Sequence, residues 1–151
     1  MILIAHRGNI NGKQRGRENT IPYIDEALAE GFDVEIDLWG HRNFLYLGHD
    51  EPLGIVDPVY LQNPSLWCHA KNLDAVVKLQ HLNTKGGYNI HFFWHQKDDI
   101  ALTSKNYIWA FPGKQPIRDS IAVLPEVGGD VLTHCQGICS DNIAVYKNKS
   151  L

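Results

Sequence analysis

Short apolar runs ended by a polar or charged residue recur along the chain, separated by two stretches of helical periodicity. The first run, Ile2 to Ala5, reads as a buried strand ending at His6. A polar, glycine-rich loop over 9–17 follows and carries Lys13, Arg15 and Arg17. Asn19-Thr20 with Pro22 marks a helix start, with Asn19 or Thr20 as the cap and the proline inside the first turn. Ile21, Ile24, Ala27 and Leu28 recur at helical spacing until Gly31 closes the helix. Over Phe32 to Leu38 the period drops to two. Val34, Ile36 and Leu38 share one face, and Glu35 and Asp37 share the other. Gly40 to Asn43 reads as a turn, Phe44 to Leu47 as a returning strand that delivers His49-Asp50, and Pro52 and Pro58 mark a loop.

In the second half, Leu66 to Ala70 is a strand ending at Lys71. Asn72 opens a helix whose apolar residues are Leu73, Val76, Val77, Leu79 and Leu82, and Lys85-Gly86-Gly87 ends it. Tyr88 to Trp94 favours β structure, Asp98 to Leu102 a short helix, and Tyr107 to Phe111 a strand stopped by Pro112-Gly113. Ile117 to Pro125 is weakly patterned, and the last strand material lies around Gly137-Ile138-Cys139. Strands alternating with helical stretches predict an α/β fold of mostly parallel strands joined by right-handed crossovers. No repeat or linker divides the chain, so a single domain over 1–151 is expected.

Composition narrows the function classes. The chain is 44% hydrophobic and 21% charged with a net charge of -3, and basic residues form no footprint for nucleic acid. No apolar run approaches the ~20 residues of a membrane helix, and the opening Met-Ile-Leu-Ile is too short for a signal peptide. A cytoplasmic location is the expectation. Cys68, Cys135 and Cys139 are odd in number and include no C-x-x-C pair to pin zinc, so they read as small buried space-fillers.

Against this background the first fifty residues are chemically dense. Glu35 and Asp37, two apart on a strand, present both carboxylates to one side, where they can converge on a cation such as Mg²⁺ or Ca²⁺. His6 and His49, each placed after a strand, suit an acid–base pair because imidazole titrates near neutrality. His91, Phe93 and His95 share one strand face and could line a pocket, as could Trp109.

His6-Arg7-Gly8, Glu18-Asn19-Thr20, Glu35-Ile36-Asp37 and His49-Asp50 stand in the order and spacing of the glycerophosphodiester phosphodiesterase family, one of the phospholipase-C-like phosphodiesterase barrels, and the chain resembles that family. Gly137-Ile138-Cys139-Ser140-Asp141 is similar to the family's final strand. The resemblance is strong over 1–53, moderate over 137–145 and thin between them. It implies a TIM-type β/α barrel. A full barrel takes about 250 residues, so 151 imply a reduced or incomplete one of about six parallel-type strands, with open edges that loops or a second copy of the chain would cover.

The resemblance further implies a metal-dependent phosphodiesterase acting on a glycerophosphodiester-like small molecule. Glu35 and Asp37 would bind the metal, Arg7 and Lys71 the phosphate, and His6 and His49 would form the acid–base pair; His6 as base and His49 as acid is the order expected, although the sequence does not fix it. The chain departs from the family at His69-Ala70-Lys71, which keeps the lysine of a Glu-x-Lys segment and replaces its glutamate. With His69 as third ligand, Mn²⁺ or Zn²⁺ becomes the expected ion. Glu18 either orients Arg7 or belongs only to the helix start. Two alternatives are a sphingomyelinase-D-like lyase forming a cyclic phosphate and a barrel that binds a phosphorylated ligand without turnover.

Overall fold

The computed structural model describes residues 1–147. Its strands are β1 (Ile2–His6), β2 (Asp33–His41), β3 (Phe44–Leu47), β4 (Gly54–Val56), β5 (Leu66–Ala70), β6 (Phe92–Trp94), β7 (Ile100–Leu102), β8 (Ile108–Ala110), β9 (Ser120–Val123) and β10 (Gly137–Ser140). Its helices are α1 (Ile21–Ala29), α2 (Leu73–Lys85) and the single turn α3 (Pro125–Gly128). Thr20 and Asn72 sit at the N-caps of α1 and α2, but only Asn72 caps through its side chain, accepting from Ala75 N–H at 3.0 Å. The Thr20 hydroxyl donates back to the Arg17 carbonyl instead.

All ten strands belong to one mixed sheet. Parallel ladders join β6, β5, β2, β1, β10, β9 and β8 in that spatial order. β3 and β4 continue antiparallel from the far half of β2, and β7 pairs antiparallel with β8. The expected TIM-type barrel, reduced or not, is therefore wrong: the fold is an open ten-stranded sheet with few helices. The reason lies in the connections. A βα barrel needs a helix after each strand, whereas only β1 and β5 are followed by helices longer than one turn before the next parallel strand. The segment over 98–102 is also not a helix: its last three residues form strand β7. Its apolar run is only three residues long, and it bonds to β8.

The open sheet is nevertheless rolled. β5 and β8 lie five steps apart along the ladder, about 24 Å if the sheet were flat. Yet the rings of Trp67 on β5 and Trp109 on β8 have centroids 5.8 Å apart. Among the described residues no ladder closes β6 onto β7 or β8; Ser104 reaches across instead, donating its N–H to the Phe92 carbonyl at 2.7 Å. The roll gives the sheet two distinct apolar faces. The outer one holds Val34, Ile36 and Leu38 with Ile24 and Ala27 of α1 and Ala75 and Leu79 of α2. The inner one holds Ile4, Trp67, Phe93, Trp109, Ile121 and Val123. Leu73 and Val77 of α2 do not join either core; one turn apart, they remain largely exposed. No helix among the described residues is long and apolar enough to cross a membrane.

Candidate active site

Parallel pairing sets the site at the carboxyl ends of the strands, where ligands bind in open parallel sheets. His6 ends β1 in register with Glu35 of β2, and Asp37 of β2 is in register with His69 of β5. Lys71 follows β5 directly and Asp141 follows β10. The loop carrying His49 is tied to the end of β2. Gly48 N–H donates to the Asp37 carbonyl at 3.2 Å, and the Trp39 indole donates to the Gly48 carbonyl at 2.9 Å.

The alternation over β2 behaves as predicted, but the polar face is not wet. Glu35 is 2% exposed and Asp37 1%, so each carboxylate needs compensation from protein groups. Asp37 has a dense set of partners: Arg7 Nε at 3.2 Å, Lys71 Nζ at 3.3 Å and His69 Nδ1 at 3.1 Å. Asn19 Nδ2 donates to it at 2.9 Å, and Asp37 N–H donates back to Asn19 Oδ1 at 2.8 Å. Burial would raise its pKa, but the His69 hydrogen bond and the Lys71 and Arg7 charges hold it well below the usual carboxylate range. Glu35 goes the other way. Burial and the neighbouring Asp37 charge push it up, more than His6, His69 and Arg7 lower it.

Glu35, Asp37 and His69 each bring a ligand atom within 4.8 Å of the others. Two buried carboxylates and an imidazole suit a divalent cation that accepts nitrogen as well as oxygen. A second observation supports this fit. The buried side-chain nitrogens or oxygens without a hydrogen-bond partner among the described residues are Arg7 Nε, His69 Nε2 and His95 Nδ1, and all three residues line the same cavity. Arg7 Nε lies close to Asp37 but is poorly aligned, so it forms an ion pair rather than a hydrogen bond. His69 is stacked between Phe93, at 5.0 Å, and His95, at 4.9 Å, which fixes its ring plane.

His6 is clamped differently. Its Nδ1 is 2.7 Å from Asp141 Oδ1 and its Nε2 3.8 Å from Glu35. Burial alone would lower the His6 pKa, but the Asp141 hydrogen bond and the Glu35 charge outweigh it and hold it above the ordinary imidazole value. Asp141 itself is held low despite burial, by His6, by the Asn9 side-chain N–H at 2.9 Å and by Lys13. His49 stands at the rim, with Nδ1 2.6 Å from Asp50. Partial burial lowers its pKa, as do the Arg7 and Lys71 charges, and these outweigh the pull of Asp37 and Asp50.

All seven residues predicted for the site line one cavity of about 220 Å³: His6, His49, Arg7, Lys71, Glu35, Asp37 and His69. Of the residues left open, Glu18 binds Arg7 at 3.3 Å and Asn9 at 2.9 Å. His95 and Trp109 line the cavity. His91 does not. It is buried lower in the sheet, against Trp67, with Nε2 2.8 Å from Thr103. Asp141 has no role in the sequence pattern, and Asn19 stands there only as one of two candidate helix caps beside Thr20. The signals were present in the Glu18-Asn19-Thr20 and Gly137 to Asp141 segments, but their partners lie 18 and 135 residues away. No family model, curated protein or solved structure matches the chain.

The His6–Asp141 pair carries a pH signature. A raised His6 pKa stabilises the fold below about pH 6.5 and loses that contribution as pH rises through its folded value; a lowered Asp141 pKa stabilises above about pH 4 and loses it as pH falls. Asp141→Asn should therefore cost most between about pH 4 and 6.5, on the order of 1.5–3 kcal/mol for a charged hydrogen bond, and less above pH 8. Urea unfolding across pH checks this; a loss independent of pH would assign Asp141 a purely steric role.

Proposed function

We propose that this protein is a divalent-metal-assisted phosphodiester hydrolase acting on a small glycerophosphodiester-like molecule. The observation that carries the reading is convergence: two histidines, an arginine, a lysine and a two-carboxylate, one-imidazole group, drawn from four separated segments, share one cavity. Glu35, Asp37 and His69 would hold the cation, which when bound neutralises charge developing on phosphoryl oxygens. Arg7 and Lys71 hold those oxygens by charge-assisted hydrogen bonds.

The environments of the two histidines support roles in the reverse of the order expected from sequence. His6, anchored by Asp141, favours the imidazolium; His49, at the rim near two cations, favours the neutral ring. His49 is then the base. A substrate hydroxyl next to the diester gives its proton to His49 as its oxygen bonds to phosphorus. The bond from phosphorus to the departing alcohol oxygen breaks, and His6 protonates that oxygen. Water opens the resulting cyclic phosphate with the roles exchanged.

The test is alcohol release from a panel of diesters by the full chain, across a series of divalent cations. Activity should depend on the cation and fall about 10²–10⁴-fold in His6→Ala and in His49→Ala. On a 4-nitrophenyl diester, whose leaving group needs no proton, His6→Ala should recover and His49→Ala should not. Recovery of His49→Ala instead would restore the opposite order. Absence of turnover on every diester with every cation would leave only a phospho-ligand-binding protein.

A further inference from the structure

The inner cavity has a wall that the proposed chemistry does not use. Besides the ionisable groups it is lined by Trp109, Phe111, Val123 and Leu124. Outside it lies a second basin of about 450 Å³, whose lining is mostly charged and of both signs, including Lys13, Arg15, Asp50 and Glu51. Arg7 and His49 are the residues common to both. The two spaces therefore meet at Arg7 and His49, where a phosphodiester could place one substituent in each.

Leu124 carries the second observation. It has left-handed backbone geometry, φ 44° and ψ 52°, a region that bulky residues avoid. It also precedes Pro125, which favours extended backbone in the residue before it. Its N–H is nevertheless locked onto the Cys139 carbonyl at 2.7 Å. Strain of this kind persists where the surroundings dictate it, and it concentrates at ligand sites. Here Leu124 is part of the apolar wall, facing the cavity that also holds His6 and Glu35.

We infer that the substrate is a diester of two unlike alcohols, with a short apolar or aromatic substituent in the inner cavity and a polar one in the outer basin, and that Leu124 is a specificity-determining residue. The inference rests on the phosphodiester reading above. The inner cavity, about 220 Å³, is below the 300–1,000 Å³ typical of sites for drug-sized ligands, which favours a short substituent and disfavours a lipid chain there.

The test is calorimetric binding of phenyl phosphate, glycerol phosphate and inorganic phosphate to the full chain. Burying a phenyl group should make phenyl phosphate bind at least about tenfold tighter than the other two. Leu124→Gly, in which glycine accepts the left-handed backbone freely, should erase most of that preference while leaving inorganic phosphate unchanged. Equal affinities for the three ligands, or no binding of any, overturns the inference without recourse to a variant, as does a glycine variant that weakens all three alike. A phenyl preference without diester turnover would uphold the apolar inner subsite and the role of Leu124 but remove the diester substrate together with the hydrolase. Turnover without a phenyl preference would do the opposite.

Discussion

Asp37→Ala should lower the free energy of unfolding by about 3–5 kcal/mol, the usual cost of stripping one partner from a buried ion pair, while Glu35→Gln should raise the stability of the metal-free protein. The two carboxylates are two residues apart and equally buried, yet their accounts differ. Removing Asp37 leaves Arg7, Lys71 and His69 without their shared anion and deprives Asn19 of its acceptor. Burial and the neighbouring Asp37 charge push the Glu35 pKa up, so its charged form is harder to hold in the fold than in the unfolded chain. A neutral glutamine keeps the oxygen that faces the Arg7 N–H, at 3.3 Å, and removes that penalty.

Both substitutions should abolish cation binding, since each removes a member of the same three-residue group. Asp37, held low, contributes stability above about pH 4 and keeps it until pH falls far below that value. Urea unfolding at pH 7 and calorimetry with Mn²⁺ read the two effects. If Glu35→Gln destabilised as much as Asp37→Ala, the idea that Glu35 is kept for its ligand at the expense of stability would be wrong.

Much of the local structure was legible because its signals are local. The run Leu66 to Ala70 and the helix opened by Asn72 stand where the apolar period and the cap put them. So does the Glu35/Asp37 face, since a period of two needs no knowledge of the rest of the chain. What failed was the step from a list of elements to a β/α barrel, reduced or incomplete. Nothing in the periodicity shows that the chain passes from β6 to β9 with no helix between strands, or that β7 turns back antiparallel on β8. The site residues converge without a barrel because β1, β2 and β5 are parallel neighbours whose carboxyl ends meet, while the roll that brings Trp67 to Trp109 buries the inner face without ring closure. Asp141 and Asn19 escaped notice because each acts through a partner far along the chain.

Gly40 is the plainest case of a residue whose reason is invisible locally, and it supports the second large prediction. Its place after a strand suggested a turn, but β2 continues through it to His41. Both its backbone groups are held by one side chain: Gly40 N–H donates to Asn72 Oδ1 and Asn72 Nδ2 donates to the Gly40 carbonyl, each at 2.9 Å. The first turn of α2 sits so close that a Cβ on Gly40 would lie 2.4 Å from Ala75 N and 2.5 Å from Asp74 C. These are backbone atoms, with no rotamer to yield, so Gly40→Ala must push α2 off the sheet.

The expected cost is about 1–3 kcal/mol or more, as for an overpacked core. Cation affinity should fall with it, because Asn72 follows Lys71 and the strand end that carries His69. Gly54→Ala is the control, since an added Cβ there meets nothing within 4 Å. Melting the two variants side by side decides the point. If Gly40→Ala melted with Gly54→Ala and bound the cation as tightly, the seating of α2 on β2 would not be what positions the lysine and the third ligand.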